Sequence, residues 1–139
     1  MEKILVSACL LGINCKYDGE NNKNDKVIEY LKDKEVIPIC PEIMGGLPTP
    51  RVPSEIKDDK VITKENKDVT NNFLKGANEV LYLAKLFNVN KALLKAKSPS
   101  CGVGEIYDGT FTHAKINGDG MTTRLLKENN IEVITELDL

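Results

Sequence analysis

The 139-residue sequence contains no tryptophan, one histidine and two arginines, although lysine is plentiful. The histidine, His113, lies in the polar stretch TFTHAK. This setting is typical of a solvated imidazole and does not favour a cysteine–histidine nucleophile pair. No apolar run approaches the roughly 20 residues that a membrane-spanning helix needs, so we expect no membrane partner. The formal net charge of −2 provides no general attraction to a phosphate backbone, which argues against a nucleic-acid partner.

All four cysteines lie in segments rich in glycine, proline, serine or aspartate, namely SACLLGINCKYDG, ICPE and KSPSCG. The amino-terminal stretch MEKILVSACLLG is typical of a first strand that enters a loop, and not of a secretion signal. We therefore predict a cytoplasmic protein whose thiols are reduced. Loop thiols in a reducing compartment indicate metal binding or catalysis. The simpler alternative is that each cysteine is a small buried hydrophobic residue.

Strand-like apolar runs alternate with helical patterns along the chain. The pattern predicts strands at residues 3–9, 35–40, 91–97 and 131–137, and helices at 24–34, 68–87 and 121–129, with Asp68 as the N-cap of the long helix. This order predicts an α/β protein in which residues 1–139 form a single domain. We expect three layers, with a mostly parallel sheet and helices on both faces. Residues 41–56, with four prolines and two glycines, are predicted to form an ordered irregular loop. A short hairpin is expected near 60–66.

Three cysteines follow predicted strands. Cys9, Cys40 and Cys101 each lie at or just past the carboxyl end of a strand. Ligands bind at that edge in open α/β sheets. Three loops that are distant in sequence should therefore converge at one site.

The spacing of the cysteines favours one kind of metal centre over another. Structural zinc sites commonly use paired C-x₂-C ligands, whereas five, 24 and 60 residues separate successive cysteines here. An iron–sulfur cluster is larger than a single ion and is also held by thiolates. The spacing therefore favours an iron–sulfur cluster over zinc.

Two charged residues of the proline-rich segment are candidates for the same site. Glu42 lies two residues after Cys40 and could transfer protons in the cleft, or it could cap a nearby turn. Arg51 could bind a substrate carbonyl or carboxylate, or it could form a structural ion pair with Glu55.

Two serines precede the last cysteine. Ser98 and Ser100 bracket Pro99, and serines in such turns commonly satisfy backbone amides. No Gly-x-Ser-x-Gly elbow surrounds them, which argues against a serine hydrolase.

The motifs SACLLG…CKYDG, CPE…GGLPTPRVPSEI, DVTNNFLKGA and LLKAKSPSCG…YDGTF closely resemble the thiouracil desulfidase family. The resemblance extends from Val6 to about residue 126. It implies a non-redox desulfuration that converts a thiolated pyrimidine such as 2-thiouracil to uracil and sulfide. It also implies a 4Fe-4S cluster held by three cysteines, with the fourth iron open to the sulfur of the substrate. The implied partner is a small thiolated base, and no oligomeric state is specified.

The resemblance also implies roles for individual residues. Glu42 would activate water, and Ser98 would hydrogen-bond the substrate ring or relay a proton. Cys9 and Cys101 would be cluster ligands, with either Cys15 or Cys40 as the third. The remaining implied substrate-pocket residues are Arg51, Ser100, Gly45 and Gly46.

Two alternatives stay open. One is a desulfidase that acts on 4-thiouridine in transfer RNA, although the longer relatives of this kind carry an additional domain. The other is a zinc or iron–sulfur binding module without catalysis.

Overall fold

The computed structural model describes residues 1–139 and contains eight strands and four α-helices. The strands are β1 (Glu2–Ser7), β2 (Lys34–Ile39), β3 (Ser54–Lys57), β4 (Lys60–Thr63), β5 (Lys91–Leu94), β6 (Glu105–Tyr107), β7 (Lys115–Asn117) and β8 (Glu132–Thr135). The helices are α1 (Asp25–Tyr30), α2 (Pro41–Met44), α3 (Thr70–Leu86) and α4 (Met121–Glu128). Two short 3₁₀ helices, Ala8–Leu11 and Glu136–Asp138, follow β1 and β8.

The central sheet has four parallel strands in the order β2-β1-β5-β8. Its inner strands are apolar and buried at residues 4–6 of β1 and 92–94 of β5, as expected where helices cover both faces of a parallel sheet. The chain passes from β1 to β2 on one side and later places β5 on the other side of β1. The strand order therefore reverses between β1 and β5, which is the position where open α/β sheets bind ligands.

Helices pack on both faces of the sheet. On one face, α3 and α4 contribute Val80, Ala84 and Leu126 to a core with residues of β1, β5 and β8. On the other face, α1 and the first 3₁₀ helix contribute Val27 and Leu10 to a second core. The predicted α/β class, a mostly parallel sheet with helices on both faces, is confirmed.

The predicted elements of the sheet and its helices are present, with shifted ends. Strand β1 ends at Ser7, so Cys9 lies in the 3₁₀ helix that follows the strand. Helix α3 begins at Thr70 and Val69 is its N-cap, so the predicted cap at Asp68 is wrong by one residue. The Asp68 carboxylate still accepts a hydrogen bond from the Thr70 backbone amide at 2.9 Å.

Two parts of the connecting chain differ from the prediction. Residues 41–56 are not wholly irregular, since they contain α2 and the beginning of β3, and β3 pairs with β4. The hairpin of β6 and β7 was not predicted. Its second strand is exposed along its length, so it lacks the apolar alternation that identifies a strand. No helix in the structure is both long and apolar enough to cross a bilayer.

Candidate functional site

A cavity of about 470 Å³ opens at the carboxyl edge of the parallel sheet. Its lining comes from the loops after β1, β2 and β5, from the beginning of β3 and from the β6–β7 hairpin. It brings together all four cysteines and most of the other predicted site residues, namely Cys9, Cys15, Cys40, Glu42, Arg51, Ser98, Ser100 and Cys101. The structure thus places side chains that lie up to 92 positions apart around a single cavity.

The SPSCG turn holds Cys101 at the bottom of this site. The Ser98 hydroxyl accepts a hydrogen bond from the Cys101 amide at 2.7 Å. The Thr123 hydroxyl of α4 donates to the Cys101 carbonyl oxygen at 3.0 Å. Burial raises the pKa of the Cys101 thiol to about 12, against the lowering effect of hydrogen bonds from Ser100 and Ser7. A coordinating metal would be needed to hold this sulfur as a thiolate at neutral pH.

The thiols of Cys40 and Cys15 lie close enough to shift each other's pKa. A hydrogen bond from Cys15 lowers the pKa of Cys40, and the Ile43 amide and the Arg51 cation act in the same direction. The same hydrogen bond raises the pKa of Cys15, and burial adds to this effect. The Cys40 sulfur also lies 3.9 Å from the Cys15 carbonyl oxygen, to which its thiol form donates.

Cys9 lines the same cavity as the other three thiols. Burial raises the pKa of Cys9, while a hydrogen bond from Asn22 lowers it. The Asn22 backbone amide also donates to the Cys9 carbonyl oxygen at 2.9 Å and so closes the loop after β1. All four cysteines are free thiols.

The thiols fit a cluster better than a single ion. No three His, Cys, Asp or Glu side chains lie close enough together to hold one metal ion. Thiols spread around one cavity match the larger size and soft-ligand preference of an iron–sulfur cluster. The four thiols that line the cavity therefore fit such a cluster.

Glu42 extends from the first turn of α2 into the cavity and is held on both carboxylate oxygens. Its Oε1 accepts a hydrogen bond from Arg51 Nε at 3.0 Å. Its Oε2 accepts one from the Ser100 hydroxyl at 3.2 Å. Ser100 lies 3.4 Å from Ser98, oxygen to oxygen. A carboxylate and two hydroxyls thus form a continuous polar chain beside Cys101.

Arg51 is occupied by protein acceptors. Besides Glu42, its guanidinium donates to the Cys15 carbonyl oxygen at 2.9 Å, and to the Pro48 carbonyl and Thr49 hydroxyl oxygens at 3.2 and 3.0 Å. The alternative pairing with Glu55 is wrong. The carboxylate of Glu55 instead accepts hydrogen bonds from the amides of Gly109 and Phe111.

Gly45 and Gly46 do not line the cavity, in contrast to their predicted contact with substrate. A Cβ atom on Gly45 would collide with the carbonyl of Asn72, and one on Gly76 would collide with the carbonyl of Pro41. The backbones of α2 and α3 therefore touch directly. This contact positions α2, and with it Glu42.

The sequence did not single out two groups at this site. Ser7, at the end of β1, and Lys95, just after β5, line the cavity. The Lys95 ammonium forms an ion pair with the buried Glu136 carboxylate at 2.9 Å. Tyr17, Tyr107, Phe111 and the exposed His113 also lie in the lining. In the sequence, only their positions could have identified Ser7 and Lys95 as site residues, because Ser7 ends β1 and Lys95 follows β5.

Comparisons with known proteins identify the family to which this chain belongs. A family model described as 2-thiouracil desulfurase matches residues 4–138. The Bacillus subtilis (strain 168) protein YbbK, described as uncharacterized, is 42% identical over 146 residues, covering 98% of this chain and 97% of YbbK. A solved structure described as the 4Fe-4S-dependent thiouracil desulfidase TudS is similar with a TM-score of 0.90 and 41% identity, covering 100% of this chain and 93% of that chain. The family indicated by the motifs is thereby confirmed: the chain belongs to the 2-thiouracil desulfurase family.

Proposed function

We propose that this protein removes the sulfur of a thiolated pyrimidine, with 2-thiouracil as the simplest substrate, and releases uracil and sulfide. The observation that carries the proposal is the convergence of four thiols and the chain Arg51–Glu42–Ser100 in one cavity. The match to the desulfurase family and the likeness to TudS support it. The cavity volume of about 470 Å³ lies in the range of small-molecule sites. We propose that residues 1–139 act as one domain.

The reaction consumes water and needs no electron donor. The carbon–sulfur double bond of the substrate is replaced by a carbon–oxygen double bond, and the two hydrogens of water leave with the sulfur as hydrogen sulfide. When bound, a 4Fe-4S cluster with one open iron supplies a Lewis acid that accepts this sulfur.

Cys9, Cys40 and Cys101 are the proposed cluster ligands. They follow β1, β2 and β5, which are neighbours in the sheet, so their loops meet at one edge. Cys15 lies beyond the 3₁₀ helix and serves Cys40 as a hydrogen-bond donor. We assign the third ligand position to Cys40 because it directly follows β2, whereas Cys15 follows no strand. The neighbouring Cys15 thiol also lowers the pKa of Cys40, which favours the thiolate form that metals bind.

The proton transfers are assigned to the polar chain beside Cys101. The Glu42 carboxylate takes a proton from the attacking water, and Arg51 holds that carboxylate at a fixed angle. Ser100 connects Glu42 to Ser98. The Ser98 oxygen accepts from the Cys101 amide, and its own hydrogen points to Ser100 when Ser100 donates to Glu42. A proton can therefore pass between Ser98 and Glu42 through Ser100.

The experiment is an assay of the anaerobically purified and reconstituted protein with 2-thiouracil and no reductant. We expect a brown protein that forms uracil and sulfide in equal amounts. If the brown protein leaves 2-thiouracil unchanged but acts on a thiolated nucleoside or on transfer RNA, that compound would take the place of 2-thiouracil as the proposed substrate. A colourless protein that holds only zinc after reconstitution would overturn the proposal and favour the binding module.

A further inference from the structure

Ser7 joins the two strands between which the sheet order reverses. It is the last residue of β1 and is 3% exposed. Its hydroxyl accepts a hydrogen bond from the Lys95 backbone amide at 2.9 Å, just after the end of β5. The same hydroxyl donates a hydrogen bond to the Cys101 sulfur, which lies 3.4 Å from its oxygen.

The direction of these bonds follows from the chemistry of the groups. A backbone amide can only donate, so the Ser7 oxygen must be its acceptor. The single hydrogen of the Ser7 hydroxyl then has one partner in reach, the sulfur of Cys101. A buried hydroxyl that accepts and donates once is fully satisfied.

The other hydroxyl near this sulfur is not committed to it. Ser100 lies 3.5 Å from the Cys101 sulfur but 3.2 Å from the Glu42 carboxylate. It has one hydrogen, and an ionised carboxylate is the stronger acceptor. When Ser100 donates to Glu42, Ser7 is the only hydroxyl donor to Cys101.

We infer that Ser7 is a positioning residue that holds the Cys101 sulfur and withdraws electron density from it when that sulfur binds a cluster. The inference rests on the proposed function. Hydrogen bonds to ligand sulfurs set the electronic properties of iron–sulfur clusters. A donor stabilises the more negative, reduced state more than the oxidised state. The Ser7 hydroxyl therefore raises the reduction potential of the cluster and makes it a stronger Lewis acid.

The test compares three variants of the full chain after anaerobic reconstitution. Ser7→Ala removes the hydroxyl and leaves a small side chain, whereas Ser7→Thr keeps the hydroxyl. Ser54→Ala is the matched control, because Ser54 lines the same cavity without a side-chain hydrogen bond to a cysteine. Circular dichroism establishes that each variant is folded.

The first measurement is the midpoint potential of the bound cluster. We expect a more negative potential for Ser7→Ala than for the wild type, and wild-type values for Ser7→Thr and Ser54→Ala. A purely structural role for Ser7 would not move the potential of a cluster that is fully retained. An unchanged potential in Ser7→Ala, with the wild type active and brown, would overturn the inference and leave the proposed function intact.

The second measurement is independent of how well each variant binds iron. The iron–sulfur stretching bands of the wild type are recorded by resonance Raman spectroscopy in H₂O and in D₂O. We expect a band shift on deuteration that is lost in Ser7→Ala and kept in Ser54→Ala. The absence of any shift in the wild type would also overturn the inference. A wild type that binds no cluster would refute the proposed function itself.

Discussion

The Nε atom of Arg51 lies 3.0 Å from the Oε1 atom of Glu42, and the arginine side chain is only 7% exposed. The pair is part of a larger arrangement, because the same guanidinium binds the Cys15 carbonyl and the turn at Pro48 and Thr49. Arg51 therefore connects the loop after β1 to the carboxylate that follows β2. The guanidinium N–H groups bind acceptors of the protein itself. Arg51 therefore affects catalysis by positioning the Glu42 carboxylate.

Replacing Glu42 by glutamine should abolish turnover while the cluster remains bound. The amide has nearly the same shape as the carboxylate but cannot accept a proton, and losing a general base typically costs about 10²–10⁴ in rate. Sulfide release and the visible spectrum are measured on the same sample. A variant with a normal spectrum and normal turnover would show that Glu42 is not the base.

Replacing Arg51 by lysine should lower kcat about 10–100-fold, because imprecise positioning of a catalytic group has costs of this order. An ammonium group cannot reach the Glu42 carboxylate, the Cys15 carbonyl and the Pro48–Thr49 turn together. KM should change little, since the guanidinium is occupied by protein acceptors. A rise in KM with unchanged kcat would instead indicate that Arg51 contacts the substrate.

The two neighbouring cysteines should differ in their effect on iron binding. Cys40→Ser removes a proposed ligand and should leave the reconstituted protein with less iron and sulfide than a full cluster. Cys15→Ser keeps a hydrogen-bond donor beside Cys40 and should retain four irons per chain, about the content of the wild type. Iron and acid-labile sulfide are determined in parallel for both variants. Normal iron in Cys40→Ser and loss in Cys15→Ser would reverse the assignment.

Replacing Gly76 by alanine should destabilise the protein and displace Glu42. The added methyl group would collide with the Pro41 carbonyl in α2, and overpacking of this kind typically costs about 1–3 kcal/mol. Urea unfolding of the apoprotein measures the change in the free energy of unfolding. Lys75→Ala, at the preceding exposed position of α3, is the control and should be close to neutral. Equal stability of the two variants would contradict the close contact.

The sequence indicated the architecture because the relevant signals are local. The periodic apolar positions of α3, such as Phe73, Ala77 and Val80, and the β-branched runs of the parallel strands depend only on neighbouring residues. The positions of Cys9, Cys40 and Cys101 after three strands were visible in the same way. Their convergence followed from the general geometry of parallel sheets. The β6–β7 hairpin was missed because its exposed second strand carries no such pattern.

The tertiary structure alone decided which of these residues touch. Ser100 meets Glu42 across 58 positions of sequence, and Ser7 meets Cys101 across 94. Arg51 forms its ion pair with Glu42 and not with Glu55, although Glu55 is nearer in the sequence. Composition and spacing placed the thiols and the carboxylate at one edge of the sheet. Hydrogen bonds between distant loops depend on how those loops pack, and local sequence patterns carry no record of that packing.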